Sequence, residues 1–242
     1  MQAGTLRGCS AMFIALANIS SGCKDHPLPP EKSAAARAEP AANEFPTVTA
    51  PPVQPVVTQP VEPSFGELLA KAASQQTLSA VTYDAAYSRI AYPGGDVVPD
   101  RGVCSDVVVR AYRTFGIDLQ VLVHEDMARD FSVYPRNWGL TKPDPNIDHR
   151  RVPNLCCYFN RVQTSLPVTD VAADYLPGDI VAWSLTDGRP HIGIVANEAD
   201  AISGRRLVVH NIGEGPKAED VLFDWTITGH FRCDDRAVMS KP

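Results

Sequence analysis

The chain has 242 residues, a formal net charge of −6, 44 % apolar residues, 21 prolines and six cysteines, enough for one ordinary domain with a core of its own. Its one basic cluster, "HRR" at His149 to Arg151, is too small for a nucleic-acid footprint, which excludes a nucleic-acid partner. No internal repeat is present, which excludes a solenoid.

Residues 1–23 read as an export leader. Arg7 is followed by the short apolar run "CSAMFIALANIS" and then by "SSGC", ending at Cys23. The run is too short to span a membrane and suits export. Small residues before a cysteine resemble a bacterial lipoprotein signal, although Ser20 stands where an aliphatic residue is usual. That resemblance implies an acylated Cys23, a membrane tether and a place in the periplasm or cell envelope. Residues 24–63 read as a Pro/Ala-rich disordered linker. Ten of the 21 prolines fall between Pro27 and Pro63, and Phe45 is the only aromatic there, so little apolar surface is available to offset ordering entropy. Residues 64–242 remain for a single domain.

Within it, "SFGELLAKAAS" predicts a helix with Ser64 as N-cap and Glu67 completing a capping box. "TLSAVTYDAAYSRIAY" predicts a second helix, and "YPGGDVVPDRG" a loop. In "RGVCSDVVVRAYRTFG", Cys104, Val107, Val108, Ala111, Tyr112 and Phe115 share one helical face. Asp106 and Arg110 form an i,i+4 pair, and Gly116 suits the C-terminus. Cys104 is then either a small core residue or a thiol at a helix tip, where N–H groups and the dipole favour a thiolate. "DLQVLVHEDMARDF" predicts a helix; beyond a long polar loop, "LCCYFNRV" fits a helix or a strand and is read as a helix. "DIVAWSL", "HIGIVAN", "RLVVHNI" and "ITGHFR" predict strands, with a hairpin at Asp187-Gly188. Helices first and an antiparallel sheet second make an α+β fold.

With Cys9 and Cys23 in the leader, Cys104, Cys156, Cys157 and Cys233 remain. No C-x-x-C pair supports a zinc ribbon. One or two disulfides are open to them in an oxidising compartment, Cys156 or Cys157 with Cys233 among them. Asp144, Asp148 and His149 lack regular ligand spacing, so no metal is expected. Arg150 and Arg151 suit a peptide carboxylate. His230 reads as structural, and Trp138, Trp183 and Trp225 as core or cleft wall.

The histidines suggest chemistry. His191 opens one strand and His210 closes the next, so an antiparallel hairpin brings them together. A thiol at the tip of a helix packed on that sheet completes a nucleophile, a base and a polar group that orients the base. Asn211 competes with His210 for the last role, although alternation turns it to the opposite face.

"GVCSDVVVRAYR", "PDPNIDHRRVPNL", "PGDIVAW", "HIGIV", "HNIG" and "ITGHFR" closely resemble the bacterial family called domain of unknown function 1287, over Tyr83 to Arg232. That family in turn resembles the NlpC-type, papain-like cell-wall peptidases, in which a Tyr-Gly-Gly loop precedes a nucleophilic cysteine at a helix start. The resemblance implies a papain-like fold with helices packed on an antiparallel sheet and the catalytic Cys at a helix N-terminus. It implies Cys104 as nucleophile, His191 as base and His210 as orienting residue. It makes Tyr92, in "YPGG", a substrate or oxyanion contact, and Ser105 and Asp106 part of the subsite beside the thiol. It also implies a monomeric hydrolase of peptidoglycan stem peptides without a cofactor. A binding module that has lost turnover and an acyl transferase using the same thiol are the alternatives on this fold.

Overall fold

A computed structural model describes residues 62–162 and 164–232. The leader, most of the linker, Cys9, Cys23 and Cys233 lie outside the described residues.

Helix α1 (Phe65–Gln75) starts where the capping box places it. The Ser64 hydroxyl accepts the Glu67 N–H at 3.2 Å, and the Glu67 carboxylate accepts the Ser64 N–H at 2.8 Å. The helix expected next does not form. A short 3₁₀ turn leads instead into β1 (Thr82–Tyr83), which pairs in parallel with β2 (Arg101–Gly102). The cause lies far along the chain. The guanidinium of Arg150 donates to the carbonyls of Asp84 at 3.2 Å and Ala86 at 3.4 Å. The Asp84 carboxylate accepts the Ala86 N–H at 2.9 Å. Main-chain groups that a helix needs are thus taken by tertiary and turn partners, and local propensity yields.

Helix α2 (Cys104–Arg113) begins at the cysteine. It ends on Gly116 in the left-handed region, φ 74°, with the Ile117 N–H returning to the Tyr112 carbonyl. Helices α3 (Leu119–Arg129) and α4 (Val152–Arg161) form as expected. Asp118 caps α3 by accepting the Gln120 N–H at 3.0 Å.

The second half is one antiparallel sheet: β3 (Ile180–Ser184), β4 (Pro190–Ala199), β5 (Arg206–His210), β6 (Lys217–Glu219) and β7 (Thr226–Phe231), in the order β6-β5-β4-β3-β7. The two-residue period of the strands gives it two apolar faces. Ile180, Ala182, Ile192, Ile194, Val209 and Phe231 pack on the four helices. Val181, Trp183, Val195 and Val208 pack on Tyr175 and Leu222 at the back. His230 belongs to a buried clasp in which Asp179 accepts from its Nε2 at 2.8 Å and from Arg232 at 2.7 Å.

Candidate functional site

The tip of α2 meets the sheet at β4. Cys104 is 5 % exposed and packs with the helical core. The backbone N–H of Ile192, the residue after His191, faces its sulfur, as do the N–H groups of Ser105 and of Cys104 itself. Those donors favour a thiolate, but burial outweighs them and pushes the thiol up to about 11. Of the two readings of Cys104, a small core residue or a thiolate at a helix tip, this burial weighs toward the first.

The hairpin of β4 and β5 brings the two histidines together, with Gly193 opposite His210. His191 Nε2 and His210 Nδ1 lie 2.9 Å apart, and His210 Nε2 is 3.0 Å from Glu219 Oε2 on β6. This chain fixes the tautomers. A carboxylate only accepts, so His210 Nε2 carries a hydrogen and donates to Glu219. In the neutral ring His210 Nδ1 is then an acceptor, and His191 Nε2–H donates to it. That leaves the lone pair of His191 on Nδ1. Both rings are buried, and desolvation, reinforced by His210 and then Arg189, takes His191 down to about 3. His210 is also lowered by burial, against the pull of Glu219. Trp183 and Trp225 wall the pair, with ring centroids 5.8 and 5.6 Å from His191.

By strand alternation both imidazoles project from the back face, the face of Trp183 and Val195, while α2 packs on the other. The structure therefore does not bring the imidazoles onto the thiol's face: His191 and His210 project from the other side, neither lines the cleft onto which Cys104 opens, and it is the N–H of the next residue, Ile192, that faces the sulfur.

Cys104 opens into a cleft of about 440 Å³ with walls that include Tyr83, Tyr87, Trp138, Arg151 and Arg189. The other candidate residues are placed as follows. Ser105 and Asp106 are buried and absent from its walls. The Ser105 hydroxyl donates to the Arg150 carbonyl at 2.7 Å. Asp106 accepts the Val103 N–H at 2.7 Å and a bidentate fork from Arg150 at 2.9 and 3.0 Å. Asp106 therefore pairs with Arg150 and not with Arg110, which pairs with Asp96 at 2.9 Å. Arg150 lines the cleft, but its donors are engaged by Asp106 and by two main-chain carbonyls. Asn211 faces the helices and donates to the Gly102 carbonyl at 3.3 Å, tying the end of β5 to the approach to Cys104. Tyr92 is 43 % exposed, stands outside the cleft and packs edge-on against His124 at 5.3 Å. Asp148 accepts from His124 Nδ1 at 2.8 Å and from the Asp144 N–H at 2.7 Å. Cys156 and Cys157 are free thiols.

The family profile described as "Domain of unknown function (DUF1287)" matches residues 70–233. The chain belongs to the DUF1287 family. It is 50 % identical over 186 residues to "Uncharacterized protein YijF" of Escherichia coli K12, a match spanning 77 % of this chain and 90 % of that protein. Two solved structures resemble it, NlpC1 and NlpC2 from Trichomonas vaginalis, both at 14 % identity over 72 % of this chain, with TM-scores of 0.37 and 0.36. The chain spans about half their length, 46 and 49 %. At that level of likeness, what a DUF1287 chain does is argued from its own site.

Sequence reasoning missed three members of this DUF1287 site. Glu219 sits on a three-residue strand too short to read from pattern. Its alternation with Lys217, the register partner of His210, is the signal that would have found it. Tyr83 and Tyr87 fell inside the helix that does not form.

Proposed function

We propose that the cleft is the active site of a cysteine hydrolase, an amidase or endopeptidase, acting on peptidoglycan stem peptides. The observation that carries this reading is the Glu219–His210–His191 chain, which leaves a lone pair on His191 Nδ1, with a cysteine at the tip of a helix that meets the next residue of the same strand, Ile192. Burial favours the protonated thiol, so activation in this reading is general-base catalysis at the moment of attack and not a standing ion pair. His191 Nδ1 takes the thiol proton as the sulfur adds to the carbonyl carbon. The oxyanion is met by the backbone N–H of Cys104. The C–N bond breaks as His191 returns the proton to the leaving amine, and water then hydrolyses the thioester. His210 holds the tautomer of His191, and Glu219 holds that of His210. The same reading places the chain in the cell envelope, exported by residues 1–23 and tethered through an acylated Cys23.

The test is muropeptide mapping after digestion of purified peptidoglycan with the wild-type chain and with Cys104→Ala. Peptides newly cleaved by the wild type alone support the reading, and matching profiles contradict it. A second reading, a binding module without turnover, is favoured by the burial that pushes the thiol up to about 11. It expects matching profiles together with equal co-sedimentation of both chains with sacculi.

A further inference from the structure

Three arginines line the cleft beside Cys104, and no acidic residue lines it. They differ in what their charges meet. Arg150 is buried against Asp106. Arg189 stands at an exposed rim and pairs with Asp187 at 2.6 Å. Arg151 forms neither kind of pair. Its guanidinium lies over the Trp138 ring, 5.1 Å from the centroid. Its Nη1 is buried without a hydrogen-bond partner among the described residues.

That combination has a direction. A guanidinium presents its donors in a flat fork matched to a carboxylate, and a cation–π contact with an indole restrains where that fork sits. Trp138 is itself held unusually. It has φ 58°, the only positive φ outside glycine among the described residues, a conformation that costs a bulky side chain and clusters at ligand sites. The indole remains 60 % exposed, so the platform is open to the cleft. The acid whose ionisation Arg151 supports, Asp144, is already engaged: it accepts the Tyr87 hydroxyl at 3.0 Å and both the N–H and the side-chain amide of Asn146.

We infer that Arg151, held over the Trp138 ring, is the carboxylate-binding residue of the cleft, so that the peptide taken beside Cys104 carries a free carboxylate. This rests on the reading of the cleft as a peptide site. The carboxylate belongs either to a side branch of the peptide or to its C-terminus, and both present the same planar anion to the fork.

The experiment uses the Cys104→Ala chain, which binds without turnover, and titration calorimetry. The probes are the peptide L-Ala-γ-D-Glu-meso-diaminopimelate and three forms of it, each with one carboxylate converted to a carboxamide. One of the three conversions is expected to weaken binding tenfold or more, and its position names the source of the carboxylate. The same conversion is expected to make no difference in Cys104→Ala/Arg151→Gln, with Arg151→Lys recovering part of the discrimination because charge remains without the flat fork. If no conversion weakens binding, or if the penalty survives Arg151→Gln in a chain of unchanged melting temperature, the inference is overturned while the hydrolase reading stands. Benzoate separates the two in the other direction. A saturable change in tryptophan emission that Arg151→Gln abolishes supports the anion site even if the peptide does not bind, whereas no response to benzoate and no peptide discrimination overturn it.

Discussion

Asp106 shows how much one side chain near the nucleophile is asked to do. It closes the N-terminus of α2 by accepting the Val103 N–H and neutralises Arg150, and both members of the ion pair are buried. Arg150 in turn holds the carbonyls of Asp84 and Ala86, which keeps Tyr83 and Tyr87 at the cleft. A buried pair is weak evidence of net stability, but removing one partner leaves an uncompensated charge. Asp106→Asn is therefore expected to lower stability by about 3–5 kcal/mol in urea denaturation. Asp106→Leu/Arg150→Met is expected to recover only part of that loss, because the two carbonyls lose their donor. Full recovery, or a loss below about 1 kcal/mol, would show that the fork does not hold this wall. None of this was legible in the sequence, where Arg110 at i+4 is the visible partner and Arg150 is 44 positions away.

At the scale of elements, legibility followed the range of the interactions. Helices α1, α2 and α3 and four of the sheet strands were readable because apolar residues repeat with the period of the element, and side-chain caps mark the starts of α1 and α3. The segment from Thr77 to Tyr92 misled because Arg150 decides its backbone, and β6 escaped because three residues carry no period. The hairpin of His191 and His210 was legible from strand ends alone, and Gly193 between them explains its tightness. A Cβ on Gly193 would lie 2.8 Å from Val208 Cγ1, 2.9 Å from the Val209 carbonyl oxygen and 3.1 Å from His210 Cβ. The carbonyl is main chain and cannot turn aside, so β5 must shift. Gly193→Ala is expected to cost about 1–3 kcal/mol in denaturation and to draw His210 off His191 in a crystal structure of the variant. A variant as stable as the parent with the 2.9 Å contact intact would contradict this.

For the whole molecule, the buried imidazoles set a pH dependence. Desolvation takes His191 to about 3 and His149 to about 4, while an unfolded imidazole titrates near 6.5. As the pH falls below about 6.5 the unfolded chain binds protons that the folded chain refuses, so stability falls with acidification. Each group contributes a slope of up to about 1.4 kcal/mol per pH unit. The window closes near pH 4 for His149 and near pH 3 for His191. The urea midpoint should therefore drop steadily between pH 7 and 4.5, and a flat midpoint over that range would mean that these rings are solvated.

The thiol lies on the helix face of the sheet and the imidazole pair on the other, and every functional step above requires that they communicate. Iodoacetamide alkylation of Cys104, followed by mass spectrometry from pH 6 to 10, measures that communication directly, with Cys156 and Cys157 in the same chain as internal controls. With His191 acting as base, His191→Ala should slow alkylation of Cys104 at pH 7 about tenfold or more while leaving the two control thiols unchanged. Equal rates at Cys104 with and without the imidazole would show that the sulfur is only a packed core residue.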